Sequence, residues 1–195
     1  MKILAVLAVL AGCCAHPPSN APRIQAAANV WKIAGPGVSG SGLPIVAPVG
    51  EVWFLTAAHV FDAGPGPWTA SNRAGEKLEA GYLVSRHPTE DAVILGFASD
   101  YPAQAHDIDF EALEFGEKVY GAGWGGGYGL WLTDGLVSAA RRTTTPIFGG
   151  DSGGGLFDEE GALLGMIVGR GDIHAAHHAF VIPMAELRDW LEPQL

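Results

Sequence analysis

Short runs of β-branched and aromatic residues, cut by Gly and Pro, recur along the chain: Ile45-Val46, Val52 to Leu55, Val93 to Phe97, Lys118 to Tyr120, Leu130 to Thr133, Ala162 to Val168 and Ala179 to Ile182. Short apolar runs bounded by turn residues predict an all-β protein. One helix is predicted over Pro183 to Leu191, where Pro183 suits a first turn and Leu187, Trp190 and Leu191 recur at helical spacing. The apolar run at the other end, Ile3 to Leu10, follows Lys2 and leads into small residues, the pattern of an export signal. It is too short to cross a bilayer, which takes about 20 residues.

With 195 residues and 48% hydrophobic content, the chain is long enough to bury an adequate core as one structural unit. The net charge of −10 opposes an extended phosphate-binding surface, so no nucleic acid partner is expected. Arg141-Arg142, the only adjacent bases, read as a solvated strand end. Both cysteines, Cys13 and Cys14, lie in the terminal segment, so no disulfide staples the body. No Cys-x-x-Cys pair exists for zinc, and His174, His177 and His178 fall in a Gly- and Ala-rich turn without a carboxylate network, so neither metal nor cofactor is expected. Gly121 to Gly126 satisfies Gly-x-Gly-x-x-Gly, but a strand follows it, and no helix N-terminus is there to receive a pyrophosphate. It reads as a glycine-rich turn with Trp124 packed on the body.

The run Gly149-Gly150-Asp151-Ser152-Gly153-Gly154-Gly155 carries the chemistry. Glycines on both sides let the backbone turn tightly and bring amide N–H groups close to a substrate carbonyl. Ser152 sits at the apex of such a loop, the amides of Gly150 and Ser152 are its oxyanion donors, and Asp151 is buried beside it. A serine hydroxyl needs a general base and a group that orients the base. Val52 to Thr56 runs through Ala57-Ala58 into His59, which small neighbours can hold against close-packed backbone. Asp91 opens the apolar run Ala92 to Leu95 after the turn-like His87-Pro88-Thr89-Glu90. Asp100, Asp107 and Asp109 lie in a loop and read as solvated acids.

The order His59, Asp91, Ser152, with the phrases Thr-Ala-Ala-His, Asp-x-x-x-Leu and Gly-Asp-Ser-Gly-Gly, resembles the trypsin-like, chymotrypsin-fold serine peptidases. Compact spacing and a cysteine-free body make it most similar to the bacterial HtrA-type and glutamyl-endopeptidase-like branches. Gly40-Ser41-Gly42, Gly123-Trp124-Gly125, Gly135-Leu136-Val137-Ser138 and Phe180-Val181-Ile182-Pro183 echo the same family. The resemblance implies two six-stranded antiparallel β-barrels over residues 28–195, divided near 110–117, with a short C-terminal helix and the site between the barrels. It also implies hydrolysis of peptide bonds in protein or peptide substrates. By the same resemblance Ile167, Val168 and Gly169 wall the pocket for the side chain before the cut bond, and His174, His177, His178 or Arg170 select an acidic one. Pro146 stands near the position of trypsin's pocket-base aspartate, which argues against cleavage after Lys or Arg. No Ile-Val-Gly-Gly start appears, so Asp151 needs a partner other than a new N-terminus; Arg141, Arg142 and backbone amides are the candidates. No room remains after Leu195 for a PDZ domain.

Leu10-Ala11-Gly12-Cys13 resembles the lipobox of bacterial lipoproteins, which implies removal of residues 1–12 and lipidation of Cys13. Ordinary signal cleavage near Ala15 is the alternative. Residues 13–27, with His16 to Pro22 stiff and polar, read as a tether. The expectation is an exported serine endopeptidase, held to the envelope by a lipid anchor with the outer membrane favoured, or secreted. Two other functions fit the same residues: a catalytically silent envelope binding module, and an esterase on the same fold.

Overall fold

A computed structural model of the chain describes residues 21–64, 66–173 and 176–195. The expected signal, Cys13 and the first part of the tether lie outside the described residues, as do His174 and the side chains of Arg170 and His177.

Two closed antiparallel barrels of six strands each make up the body. The first holds β1 (Trp31–Gly35), β2 (Val38–Ile45), β3 (Glu51–Thr56), β4 (Trp68–Ser71), β5 (Lys77–Arg86) and β6 (Val93–Ala98), in the order β1-β2-β3-β6-β5-β4. The second holds β7 (Lys118–Gly123), β8 (Trp131–Ala139), β9 (Arg142–Thr143), β10 (Gly155–Phe157), β11 (Leu163–Ile173) and β12 (Ala176–Pro183), in the order β10-β11-β12-β9-β8-β7. Residues 99–117 run between them.

Successive side chains of a strand point to opposite faces, and several strands here are apolar on both because each face is covered. Val93, Leu95 and Phe97 of β6 fill the first barrel, while Ile94 faces outward into a core shared between the barrels. On the other side Ile167 and Val181 fill the second barrel, and Met166 and Ile182 join Ile94 in the shared core. The unbroken apolar runs in the sequence are the mark of this double burial.

Helix α3 (Met184–Leu191) falls where helical spacing predicts it, and Met184, Leu187 and Leu191 are fully buried in the shared core. Its Trp190 reaches the first barrel, donating to Ser85 Oγ at 3.0 Å and meeting the His87 ring edge-on at 5.3 Å. The tether expected over 13–27 gives way, from Ala21 on, to helix α1 (Ala21–Ala28). Ala27 is buried against the shared core, and Val30 just beyond is fully enclosed. The alanines favour a helix, and the apolar surface it covers stabilises it where a solvated linker would have none.

Candidate active site

Strands β3 and β6 are paired with Thr56 opposite Val93. The residues that follow Thr56 and those that precede Val93 therefore leave the sheet side by side. Ala57 and Ala58, both buried, lead into the short helix α2 (Ala58–Asp62), on which His59 is the second residue. Asp91 lies two residues before β6. Its backbone carbonyl accepts from the Ala58 amide at 3.2 Å, and its Oδ1 accepts from the His59 amide at 2.8 Å. Its Oδ2 meets His59 Nδ1 at 2.6 Å. An ionised carboxylate only accepts, so Nδ1 carries the proton and Nε2 keeps its lone pair. The loop before Asp91 is fixed by His87, whose Nδ1 accepts from the Thr89 and Glu90 amides at 3.3 and 2.9 Å.

The pair shifts both groups. The hydrogen bond to Asp91 raises the His59 imidazole above its ordinary value; partial burial opposes this, and the charges of Asp91 and Asp62 add to it. Burial alone would push Asp91 up, but hydrogen bonds from the His59 ring and backbone, the His59 charge and the Ala58 amide outweigh it and hold the carboxyl below its ordinary value.

The serine loop of the second barrel is pinned on every side. The Gly153 amide donates to Ile167 O at 2.7 Å, and the Ile167 amide returns to Gly154 O at 2.8 Å. Gly150 and Gly153 have φ of +104° and +84°, which side chains rarely tolerate. A Cβ on Gly153 would also lie 3.1 Å from the Ala57 amide nitrogen, so the residue after the serine rests against the backbone that leads into His59. The Ser41 amide of β2 donates to Ser152 O at 2.7 Å. Among the described residues, the Ser152 hydroxyl has no hydrogen-bond partner, and the Gly150 and Ser152 amides donate to nothing. The Gly149 carbonyl accepts from the Gly126 amide at 2.9 Å, and in a planar trans peptide this turns the Gly150 N–H the opposite way.

Asp151 is 1% exposed. Its carboxylate accepts from the Trp131 indole at 2.8 Å, from the Phe148 amide at 2.7 Å and from the Gly125 amide. Burial raises its pKa, and the three donors only partly offset this. Arg141 and Arg142, two of the partners expected for it, are engaged elsewhere. Arg141 bonds Glu90 and Glu186, and Arg142 lies over the Phe180 ring at 4.8 Å.

Ile167 is 1% exposed inside the second barrel, so its side chain lines no surface; its backbone supports the serine loop instead. A register shift between Ile167 and Gly169 moves the strand's alternation at that point. Val168 is half-buried beside the shared core, and Gly169 has open space where a Cβ would be. His178 Nδ1 stands 3.2 Å from Thr143 O. Asp109 accepts from the Glu111 amide at 2.8 Å in its own loop. Among the described residues no group of three or more His, Cys, Asp or Glu is placed to hold a metal ion, and no helix is long and apolar enough to cross a membrane.

Sequence reasoning missed Trp131 as the partner of Asp151, and it passed over Ser41 as a family echo. No local signal marks the tryptophan, which stands at a strand start after a glycine-rich turn. Ser41 sits between two glycines, and that spacing of small residues hints at a close backbone approach.

A family model described as trypsin-like peptidase domain matches residues 39–166. Among solved structures the chain is similar to Rv3671c from M. tuberculosis H37Rv, a serine-to-alanine mutant in an inactive form, at 24% identity and a TM-score of 0.75, covering 91% of each chain. It is also similar to the serine endoprotease from Yersinia pestis, at 22% identity and a TM-score of 0.77, covering 91% of this chain and 67% of that one. No curated protein matches.

Proposed function

Because the chain belongs to the trypsin-like peptidase domain family, we propose that it is a serine endopeptidase with His59 as general base, Asp91 as its orienting acid and Ser152 as nucleophile. His59 Nε2 takes the proton of Ser152 Oγ as the oxygen attacks the scissile carbonyl carbon. The oxyanion that forms is held by the Gly150 and Ser152 amides, each such donor lowering the barrier by about 3 kcal/mol. Asp91 steadies the imidazolium, which then gives its proton to the leaving amine as the C–N bond breaks. Water, deprotonated by His59, attacks the acyl-enzyme; the carboxylic acid leaves, and the proton returns to Ser152.

The single observation that carries this reading is the bidentate grip of Asp91 on His59, at 2.6 Å to Nδ1 and 2.8 Å to the amide. It leaves Nε2 as the free base. One observation favours the silent binding module instead: the Ser152 hydroxyl has no described hydrogen-bond partner, His59 included. Labelling with a fluorophosphonate, beside Ser152→Ala, separates the two. Labelling of the wild type alone, together with cleavage of protein substrates, supports the peptidase. A folded wild type that takes no label supports the module, and turnover of esters without proteins supports an esterase.

We also propose export and lipidation at Cys13, on the strength of Lys2, the apolar Ile3 to Leu10 and Leu10-Ala11-Gly12-Cys13. Mass spectrometry of the mature N-terminus tests this: a diacylglyceryl cysteine supports it, and a terminus near residue 16 with no lipid overturns it.

A further inference from the structure

We infer that Ser41 is a positioning residue for the serine loop, setting the orientation of the Gly150 peptide through its side-chain hydroxyl. It belongs to β2 of the first barrel, is 0% exposed, and makes four hydrogen bonds. Its amide donates to Ser152 O at 2.7 Å, and its carbonyl accepts from Thr56 Oγ1 at 2.7 Å. Its Oγ accepts from the Trp124 amide at 2.9 Å and donates to Gly150 O at 2.8 Å. The backbone bonds would survive any side chain. The last two belong to the hydroxyl alone.

A hydroxyl has one proton to give, and here it goes to Gly150 O because the Trp124 N–H can only donate. Gly150 needs such a hold. It lacks a Cβ and sits at φ +104°, so the peptides on both sides of it can rotate at little steric cost. The Gly126 amide holds the carbonyl of the peptide before Gly150, and the peptide after it is held at both ends, its carbonyl by the Ser41 hydroxyl and its Asp151 N–H by Phe148 O at 3.1 Å. With both fixed, the Gly150 N–H is kept free and cannot exchange places with a carbonyl oxygen. Trp124 is pinned in turn, since its indole donates to Val30 O at 2.9 Å. A Cβ on Gly40 would lie 2.8 Å from Ser152 O, so the two barrels meet here too closely for a small rearrangement to restore a lost bond.

This inference rests on the peptidase reading, and its test keeps the two apart. The wild type, Ser41→Ala and Ser41→Thr are compared on a fluorogenic peptide that the wild type cleaves, for inhibition by a peptide aldehyde, and by thermal melting. Ser41→Ala leaves the Trp124 N–H and Gly150 C=O without their partner in a part-buried site, so kcat falls roughly 10- to 100-fold while KM stays within about threefold. Aldehyde affinity falls by the same factor as kcat/KM, because the aldehyde's hemiacetal oxygen occupies the oxyanion site. Ser41→Thr, which keeps the hydroxyl, recovers most of both. A folded Ser41→Ala with wild-type kcat and aldehyde affinity overturns the inference, as does an equal loss in folded Ala and Thr variants, which would assign the effect to packing. If Ser41→Thr melts early, the kcat and KM split of the alanine variant decides alone. A wild type inert to peptide and aldehyde overturns the peptidase reading and this one with it.

Discussion

In the first barrel Trp31, Phe54 and Phe97 meet ring to ring at 5.2 and 5.6 Å, and Tyr101 closes on Trp31 at 5.3 Å. The second barrel is filled by aliphatic chains, among them Val119, Val137, Leu156, Ile167 and Val181. Their contributions to the cleft differ in the same way. His59 and Asp91 leave the neighbouring ends of two paired strands and hold each other. Ser152 hangs from a glycine loop that packs few side chains and is held by hydrogen bonds to Trp131, Gly126, Ile167 and Ser41. Sheet register fixes the proposed base, and a largely buried polar cluster fixes the proposed nucleophile. Damage to the first should alter chemistry at constant geometry, whereas damage to the second should alter the population of competent loops.

The largest effect falls on the first barrel. Asp91→Asn offers an amide that no longer fixes the His59 tautomer, and kcat at neutral pH is expected to fall about 10⁴-fold with the melting temperature nearly unchanged. The pH profile sharpens the point. A general base works only when neutral, and Asp91 raises the imidazole pKa, so wild-type kcat/KM is expected to rise with pH along a limb centred above the ordinary histidine value of about 6.5. In Asp91→Asn the residual limb moves to lower pH. A limb at the same pH in both proteins would show that the carboxylate does not govern the base.

Next in size is Gly153→Ala in the second barrel. A Cβ there would overlap the Ser41 carbonyl oxygen and Thr56 Oγ1, at a φ of +84°. A cost of about 3 kcal/mol is expected, which lowers Tm by roughly 10 °C in a domain of this size and reduces fluorophosphonate labelling more than 100-fold. Gly149→Ala, in the same loop but with open space around its Cβ, should hold Tm within about 2 °C. Equal melting of the two variants would break the picture of a loop clamped between barrels.

The same contrast explains what was legible in the sequence. Val52 to Leu55 and Val93 to Phe97 read as strands because both faces are covered, and the candidate residues His59, Asp91 and Ser152 stand out by residue type. Strand β5, mostly exposed and shifted in register between Leu83 and Ser85, has no clean alternation to read. Helix α1 hides in alanines that also suit a linker. The resemblance places Ile167 in the pocket wall, and a sequence cannot show which face of β11 turns inward near its register shift. Ser41 and Trp131 act on the backbone and carboxylate of a remote loop, and nothing in a serine between glycines or a tryptophan at a strand start announces a partner 109 or 20 residues away.

A smaller loss is expected from Trp131→Phe. The ring keeps its place against Phe148, 4.3 Å between centroids, but the indole N–H to buried Asp151 is gone. A hydrogen bond to a charged group contributes about 1.5–3 kcal/mol, so kcat should fall roughly tenfold or somewhat more. With one donor fewer, the Asp151 carboxyl, already raised by burial, rises further. The loss should therefore change with pH in a way that Asp91→Asn does not reproduce. Unchanged kcat would mean that the two amides hold Asp151 by themselves.

The smallest effect, and the sharpest check on the division between barrels, comes from Arg141→Met. Arg141, in the turn between β8 and β9, grips Glu90 with two hydrogen bonds of 3.0 Å and also pairs with Glu186 of α3. It thus ties the second barrel to the residue next to Asp91. The guanidinium side chain is 46% exposed, and solvent-screened pairs of this kind contribute at most about 1 kcal/mol each. Tm should drop by about 2–4 °C, with the difference shrinking in high salt, and kcat should change less than threefold because the Ala58 and His59 amides already hold Asp91 within its own barrel. A loss of kcat beyond tenfold at unchanged Tm would mean that the orienting acid is held from across the cleft. The first barrel would then depend on remote polar contacts as the second does.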